Sequence, residues 1–442
     1  MSKKIFYITI LLLSVYFIPF PIYEKESEVS PRLRIDSNKI FIIENTEEFY
    51  KNLAHRTINY GNSRMKSVVF GYLPEWMLNT ARNYLKYNLV THISIFPFNV
   101  KSDGSLSYPK EWPWNDVIEN AQLSDVKIIL TAFSNDTDDI HNFLTNQELK
   151  LKFFQILRET LEKYKLDGVN IDFESLKAED KGERINAFMK ELTQYMHFHI
   201  PGSEVSIAGP AVNWDGLWDL TGLANSCDYI FVMSYCYFGS WSKYSGPAAT
   251  LTGREYSIDS TFTSRKKGYG TVVEKFPESL VMGVPYYRNY WITETSDPHS
   301  QVTRFLGNLS YDESMAIKSN YLRIWHEDYN VPWYLAQING EWHQLWLDGP
   351  VSLELKFDYA ISKKLRGIGI WALGFDKDRK ELWNLIDDKF SNRISTIIVK
   401  GINPSVKNEL TTVDTLAEAV TVKTDETEEI ISEYYDEEIS SN

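Results

Sequence analysis

Short apolar, β-branched runs recur through the middle of the chain, and most are separated by stretches with helical periodicity. Eight such runs lie at residues 68–72, 90–96, 127–132, 168–173, 205–211, 229–234, 280–285 and 367–373. Residues 149–164 and 184–198 carry apolar side chains at the spacing of amphipathic helices. Strands that alternate with helices predict parallel βαβ units. Eight of them predict an α/β fold, the closed (β/α)8 TIM barrel, and the alternative is an open doubly wound sheet.

The longest gap between predicted strands separates the seventh from the eighth. Residues 286–364 in this gap contain two further strand-like pieces, at 333–337 and 342–346. Connections of this length are uncommon unless they have structure or a function of their own. We therefore expect a small inserted subdomain between strands 7 and 8 of the barrel.

The two ends of the chain differ from its middle. In residues 1–23, Lys3 and Lys4 precede an apolar run. This pattern predicts either a signal peptide or an uncleaved signal anchor that would tether the protein to a membrane. Either one predicts a secreted or cell-envelope location. Residues 24–66 are polar and are predicted to form an N-terminal extension or linker. The predicted barrel occupies residues 67–392, and residues 393–442 form an acidic tail whose composition is typical of disorder.

Composition narrows the classes of partner. The formal net charge of −14 argues against nucleic acid or an anionic membrane surface as the partner. Aromatic residues make up 14% of the chain, and their flat rings can stack on the apolar faces of sugars as well as fill a core. Cys227 and Cys236 would lie about 30 Å apart in one strand, too far to form a disulfide. The sequence shows no Cys/His metal cluster.

The stretch 166–176 carries the clearest chemical signal. As a strand it alternates, with Asn170, Asp172 and Glu174 on one face and apolar side chains on the other. Acids at a strand end can simply cap the next helix. If this is the fourth barrel strand, however, Glu174 stands at the C-terminal mouth, where barrel enzymes keep their chemistry. The charge of Asp172 would disfavour ionisation of Glu174, which could then act as a general acid.

The run D-G-V-N-I-D-F-E at 167–174 resembles the D-x-x-D-x-D-x-E signature of glycoside hydrolase family 18, the chitinases and their relatives. Further motifs follow in the family's order, each at a predicted strand end. They are Gly71-Tyr72, Thr91-His92-Ile93, Met233-Ser234-Tyr235, Gly283-Val284-Pro285-Tyr286 and Gly369–Gly374 with Trp371. This form of the signature looks most like the branch that includes bacterial spore-cortex and peptidoglycan glucosaminidases.

The resemblance implies a substrate-assisted, retaining hydrolysis of β-1,4 bonds next to N-acetylglucosamine, in chitin oligomers or in peptidoglycan. Glu174 would be the general acid and base, while Asp172 and Tyr235 would hold the acetamido group of the sugar. The resemblance also implies that Tyr72, Met233 and Trp371 line the sugar pocket, together with Tyr286 of the seventh-strand motif. It implies no metal and no cofactor. The alternative is a chitinase-like lectin that binds glycan without cutting it.

Two positions depart from the family pattern. Asn170 stands where many relatives have Asp, and we expect its amide to hydrogen-bond Asp172 and to alter the pH dependence. Cys236 stands where the family usually has an Asp that contacts substrate. The identity of the substrate is therefore not fixed by the motif. Trp214, after the fifth strand, is predicted to form a subsite wall. The loop residues Trp112, Trp114 and Trp241 are predicted either to be sugar platforms or to pack on the barrel rim.

Overall fold

The computed structural model describes residues 65–392, and the predictions of a signal segment, a linker and an acidic tail lie outside them, apart from residues 65 and 66. Eight parallel strands form a closed barrel, because the first strand pairs with both the second and the last. The barrel strands are β1 (Val68–Pro74), β2 (His92–Val100), β4 (Lys127–Ser134), β5 (Gly168–Phe173), β6 (Glu204–Gly209), β7 (Tyr229–Val232), β8 (Leu280–Pro285) and β14 (Gly367–Trp371). The short strand β3 (Leu106–Ser107) pairs antiparallel with the end of β2. The predicted TIM barrel is confirmed.

Helices follow most of the strands and cover the outside of the barrel. They are α1 (Leu78–Tyr84), α2 (Asn115–Leu123), α3 (Thr137–Thr145), α4 (Gln147–Tyr164), α5 (Glu183–His199), α6 (Leu220–Ala224), α7 (Ile258–Thr263), α8 (Gly270–Lys275), α9 (Tyr311–Ile317), α10 (Pro350–Ser362) and α11 (Lys380–Phe390). The longest, α4, begins where the Asn146 side chain accepts the free N–H groups of Glu148 and Leu149. It ends at Lys165, whose φ of 54° is left-handed.

Aromatic rings fill the barrel interior beneath its C-terminal mouth. Tyr72 and Phe231 lie with ring centroids 4.8 Å apart, and Phe70 contacts both rings. Gly369 faces the same interior, because a Cβ at that position would lie 2.0 Å from the Phe231 ring. The absence of a side chain on β14 therefore makes room for the aromatic layer.

A second, antiparallel sheet is inserted between β8 and β14, as the sequence predicts. Its strands are β9 (Tyr287–Thr293), β10 (Val302–Ser310), β11 (Leu322–His326), β12 (Val331–Ile338) and β13 (Glu341–Trp346), in the order β10-β9-β13-β12-β11. Asn339 and Gly340 both have positive φ and join β12 to β13, which is the backbone that a tight hairpin needs. A separate aromatic cluster that includes Trp291, Trp333 and Trp346 stabilises this sheet.

Both cysteines are free thiols, but they do not share a strand as the sequence suggested. β7 ends at Val232, and Cys236 lies beyond it with a left-handed φ of 60°. Among residues 65–392, no helix combines the length and apolarity that crossing a bilayer requires.

Candidate active site

Glu174 and Asp172 stand at the C-terminal mouth of the barrel. Asp172 is the fifth residue of β5 and is buried, whereas Glu174 directly follows the strand and is exposed. The Glu174 backbone N–H donates to the carbonyl of Ser134 at 3.1 Å, which ties the residue to the end of β4. Its side chain forms no hydrogen bond or ion pair within the described chain. The backbone of Glu174 is therefore fixed, and its carboxyl group is free to bind a ligand.

The surroundings of the two carboxyl groups raise the pKa of each. Burial raises the pKa of Asp172 well above its ordinary value, and the negative charge of Glu174 raises it further. Partial burial among the walls of the mouth raises the pKa of Glu174, although its side chain reaches solvent. The sequence predicts that the charge of Asp172 raises the pKa of Glu174. In the structure, burial raises the pKa of Glu174, and the repulsion between the two charges raises the pKa of the more deeply buried Asp172.

Asn170 connects three strands at the centre of the barrel. Its Oδ1 accepts the Tyr72 hydroxyl at 2.7 Å, and its Nδ2 donates to Ser206 Oγ at 2.9 Å. Strand register explains the second bond, because Asn170 of β5 lies opposite Ser206 of β6. The predicted hydrogen bond to Asp172 is wrong. Both ends of the amide already have partners, and the buried Asp172 Oδ1 has none within the described chain.

Tyr235 and Tyr72 flank the two carboxyl groups. Both are buried, and burial raises the pKa of each hydroxyl, with the charges of Asp172 and Glu174 adding to the rise. The Tyr72 hydroxyl is also hydrogen-bonded to Asn170, two residues before Asp172 on β5. Met233 is half-buried against the core two residues before Tyr235. The structure thus brings five predicted residues, Tyr72, Asn170, Asp172, Glu174 and Tyr235, to one end of the barrel.

Trp371 ends β14 and is half-exposed over this region. Its ring lies 5.5 Å from that of Tyr72 and 5.1 Å from that of Phe96, so the indole is fixed by packing. The Trp371–Ala372 peptide bond is cis. Trp371 forms one face of a cavity of about 630 Å³. We call this cavity the Trp371 cavity. Its lining also includes Trp76, Cys236, Tyr287, Asn308, Gly374, Phe375 and Lys377.

The profile of the glycosyl hydrolases family 18 matches residues 68–376, which include all eight barrel strands and the inserted sheet. The chain belongs to glycosyl hydrolases family 18.

Relatives in this family support the same assignment. Human di-N-acetylchitobiase is 29% identical over 261 residues, which are 52% of this chain and 65% of that protein. The cortical fragment-lytic enzyme of Bacillus subtilis is 23% identical over 315 residues, 68% of each chain. The chain thus spans slightly less than two thirds of the mammalian relatives' length.

Solved structures share the fold. A family 18 chitinase from Cycas revoluta, solved in complex with (GlcNAc)3, superposes with a TM-score of 0.65 at 17% identity and covers 73% of this chain and 99% of its own. The spore cortex-lytic enzyme of Bacillus cereus superposes with a TM-score of 0.59 at 20% identity, covering 73% and 74%. At this level of identity the likeness concerns the barrel itself.

Of the five predicted substrate-binding residues, only Trp371 lines the Trp371 cavity, and Tyr72, Met233, Tyr286 and Trp214 lie outside it. Tyr286 is only 1% exposed, and its backbone N–H donates to the Trp371 carbonyl at 2.7 Å. It therefore supports the wall from behind and offers no surface to a sugar in this structure. Trp214 is 60% exposed, and its ring lies 4.4 Å from that of Tyr256, towards a different part of the mouth.

The loop tryptophans separate into two kinds. Trp114 is fully buried and donates its indole N–H to the carbonyl of Lys110, so it packs in the rim. Trp112 is half-buried and packs against Trp114. Trp241 is 68% exposed and lines a second cavity. Within residues 65–392, no three His, Cys, Asp or Glu side chains cluster as a metal site would require.

Sequence reasoning missed Tyr287 and Asn308, which come from the inserted sheet and line the Trp371 cavity. The Tyr287 hydroxyl lies 2.9 Å from the Cys236 thiol, 51 positions away in the chain. Burial raises the pKa of that thiol, and the charge of Glu174 contributes. The only signal in the sequence was the departure from the family pattern at Cys236, since strand alternation cannot show which loop an insertion will face.

Proposed function

We propose that this chain is a glycoside hydrolase that cuts β-1,4 bonds next to N-acetylglucosamine and retains the β configuration. One observation carries the proposal. An exposed carboxyl, Glu174, stands at the barrel mouth in front of a buried one, Asp172, and the pKa of each is raised. A carboxyl that reaches a ligand and whose pKa is raised is suited to protonate a glycosidic oxygen.

The proposed reaction has two steps. Glu174 donates its proton to the glycosidic oxygen while the carbonyl oxygen of the sugar's own acetamido group attacks the anomeric carbon. The glycosidic bond breaks, and an oxazolinium ion forms. Glu174, now ionised, takes a proton from water, and the water oxygen attacks the same carbon. This attack opens the oxazolinium ring and restores the acetamido group. Two inversions at one carbon leave the β configuration unchanged.

Asp172 and Tyr235 act on the acetamido group in this scheme. The Asp172 Oδ1 atom is buried and has no partner in the described chain, so a bound sugar would supply that partner through its acetamido N–H. The Tyr235 hydroxyl, close to both acids, would hydrogen-bond the same group. Asn170 would act indirectly, by holding the Tyr72 hydroxyl against the strand that carries Asp172.

The Trp371 cavity would hold the sugar whose bond is cut. The indole forms an apolar floor, and Asn308 and Tyr287 supply polar groups around it. This mixture of one flat apolar surface and a few polar groups is what a pyranose ring requires. The names of two relatives support this class of substrate, since one is a di-N-acetylchitobiase and the other a cortical fragment-lytic enzyme.

Two measurements test the proposal directly: chromatography detects the cleavage products, and NMR gives their anomeric form. The full chain is incubated with chitin oligosaccharides and, separately, with purified peptidoglycan glycan, and the anomeric form of fresh product is read by NMR. We expect cleavage that leaves the β anomer. Cleavage that leaves the α anomer would exclude the retaining mechanism. Binding without cleavage of either glycan would favour the lectin alternative instead.

We further infer that the protein is exported. The inference rests only on the two lysines and the apolar run of residues 1–23. Fractionation of cells that express the full chain would find it in the medium or the envelope. Recovery of all of it from the cytoplasm would contradict the inference.

A further inference from the structure

A second cavity of about 520 Å³ lies beside the active site, and its chemistry differs from that of the Trp371 cavity. Its lining includes Trp241, Lys243, Tyr244, Arg254, Tyr256 and His299, and we call it the Arg254 cavity. The chain itself connects it to the active site. Tyr235 flanks the acids, Cys236 lines the Trp371 cavity, and Tyr237 lines the Arg254 cavity. Consecutive Cα atoms are about 3.8 Å apart, so the two cavities approach each other where Cys236 is joined to Tyr237.

The Arg254 guanidinium is held in place without a carboxylate. Its Nη1 donates to His299 Nε2 at 3.0 Å, and its carbon lies 5.3 Å from the centre of the Phe238 ring. The other ring nitrogen of His299 lies 3.0 Å from the Ser245 carbonyl, so Nδ1 carries the hydrogen and Nε2 is free to accept. Arg254 forms no ion pair with any carboxylate in residues 65–392. The guanidinium also hydrogen-bonds the Tyr329 hydroxyl, and its remaining N–H groups are available to a ligand.

The cavity is basic in a strongly acidic chain. The full sequence has a net charge of −14. The Arg254 cavity nevertheless contains Lys243 and Arg254 against one acid, Glu255. The Glu255 carboxylate hydrogen-bonds the Tyr256 hydroxyl, and this bond raises the pKa of Tyr256. In contrast, the lining of the Trp371 cavity contains two acids and one lysine.

The aromatic side chains around Arg254 suit a sugar. Trp241 is 68% exposed and Tyr244 is 38% exposed, while Tyr256 contacts the exposed ring of Trp214. Exposed flat rings beside an oriented guanidinium can stack on a pyranose while the guanidinium binds an acidic substituent with two parallel hydrogen bonds. A neutral chitin oligomer would use the rings and leave the charge without a partner.

We propose that the Arg254 cavity binds a carboxylate carried by the sugar on the far side of the cleaved bond. The preferred substrate is then a glycan in which N-acetylglucosamine alternates with an acidic N-acetylated sugar, such as one that carries a lactyl ether. This inference rests on the proposed function, which places the N-acetylglucosamine in the Trp371 cavity. It also gives Trp214 a role, as the outer edge of the acidic sugar's site.

The test compares two substrates of equal length, N-acetylglucosamine tetrasaccharide and the tetrasaccharide that alternates N-acetylglucosamine with N-acetylmuramic acid. The quantity measured is the ratio of their kcat/KM values, acidic over neutral. We expect a ratio above one for the unchanged protein and a fall of about tenfold or more in Arg254→Gln, since hydrogen bonds to charged groups are the stronger kind. Arg265→Gln is the matched control, because Arg265 is exposed, pairs with Glu274 at 2.6 Å and lies outside the cavity. It should leave the ratio unchanged.

Two results would overturn the inference: a ratio that Arg254→Gln leaves unchanged, or an unchanged protein that prefers the neutral tetrasaccharide. If neither substrate is cut, the proposed function fails, but the cavity can still be tested. Calorimetric binding of the acidic tetrasaccharide that weakens in Arg254→Gln and at high salt would support the carboxylate site. Equal binding by both proteins would refute it.

Discussion

Glu174→Gln is the sharpest perturbation that the site offers. The change replaces one carboxyl oxygen by an amide nitrogen and keeps the shape of the side chain. The backbone bond to Ser134 does not involve the side chain, which has no polar partner within the described chain. We therefore expect the free energy of unfolding to change by no more than about 0.5 kcal/mol.

The effect on turnover should be large. A positioned general acid or base contributes about 10²–10⁴-fold to a reaction. In the proposed mechanism Glu174 serves as acid in the first step and as base in the second, so both steps lose its contribution. We expect kcat to fall by about 10⁴-fold, which corresponds to about 5.5 kcal/mol of activation free energy. Glycan binding should be kept, because Trp371 and the inserted sheet are unchanged.

The assay is steady-state hydrolysis of chitin oligosaccharides by the full chain, with binding measured by calorimetry. Glu179→Gln is the matched control, since Glu179 is an exposed glutamate five residues along the chain and is not part of the proposed site. The control should turn over like the unchanged protein. A Glu174→Gln variant within tenfold of wild type would refute the assignment of the acid. Loss of binding together with turnover would indicate a structural role instead.

Three further predictions test other parts of the molecule. Trp371→Ala should lower kcat/KM by roughly 30-fold, the usual cost of truncating an anchoring aromatic, and Trp371→Phe should lose less; steady-state kinetics measures both. Cys236→Asp would place a second charge near Glu174, raise its pKa and move the alkaline limb of the pH–rate profile upward, whereas Cys236→Ser should not move it. Burial raises the pKa of Asp376 from 3.8 to about 7, so its contribution to stability is full below pH 4 and is lost as the pH rises through 7. Thermal unfolding should therefore show Asp376→Asn more stable than wild type at pH 8, by about 4 kcal/mol at most, and no gain at pH 4.

The barrel could be predicted because its strands are local signals. Each is a short apolar run, and the long helices α4 and α5 show their periodicity within a single stretch of chain. The inserted sheet was predictable for the same reason, since β12 and β13 contain the two strand-like pieces read from the sequence. Motif order along the chain then placed the acids at the barrel mouth, because every parallel strand ends on the same side.

Partners that are distant in the chain could not be predicted. Asn170 was expected to bond its neighbour Asp172, but the barrel closes so that the Tyr72 hydroxyl, 98 positions away, reaches it first. Tyr286 was expected to touch sugar, yet its side chain is only 1% exposed and packs in the main core of the barrel. Both outcomes depend on which side chains fill the same volume. Period and spacing contain no information about that volume.

The amide at Asn170 has a physical consequence that a carboxylate would not have. It accepts the Tyr72 hydroxyl and donates to Ser206 at once, and an ionised carboxylate could only accept. A third acid there would be buried beside two groups whose pKa values are already raised, and it would raise them further. With the amide in place, only Asp172 and Glu174 share the charge of the row. The pH dependence of this protein should therefore reflect one interacting pair of acids, Asp172 and Glu174.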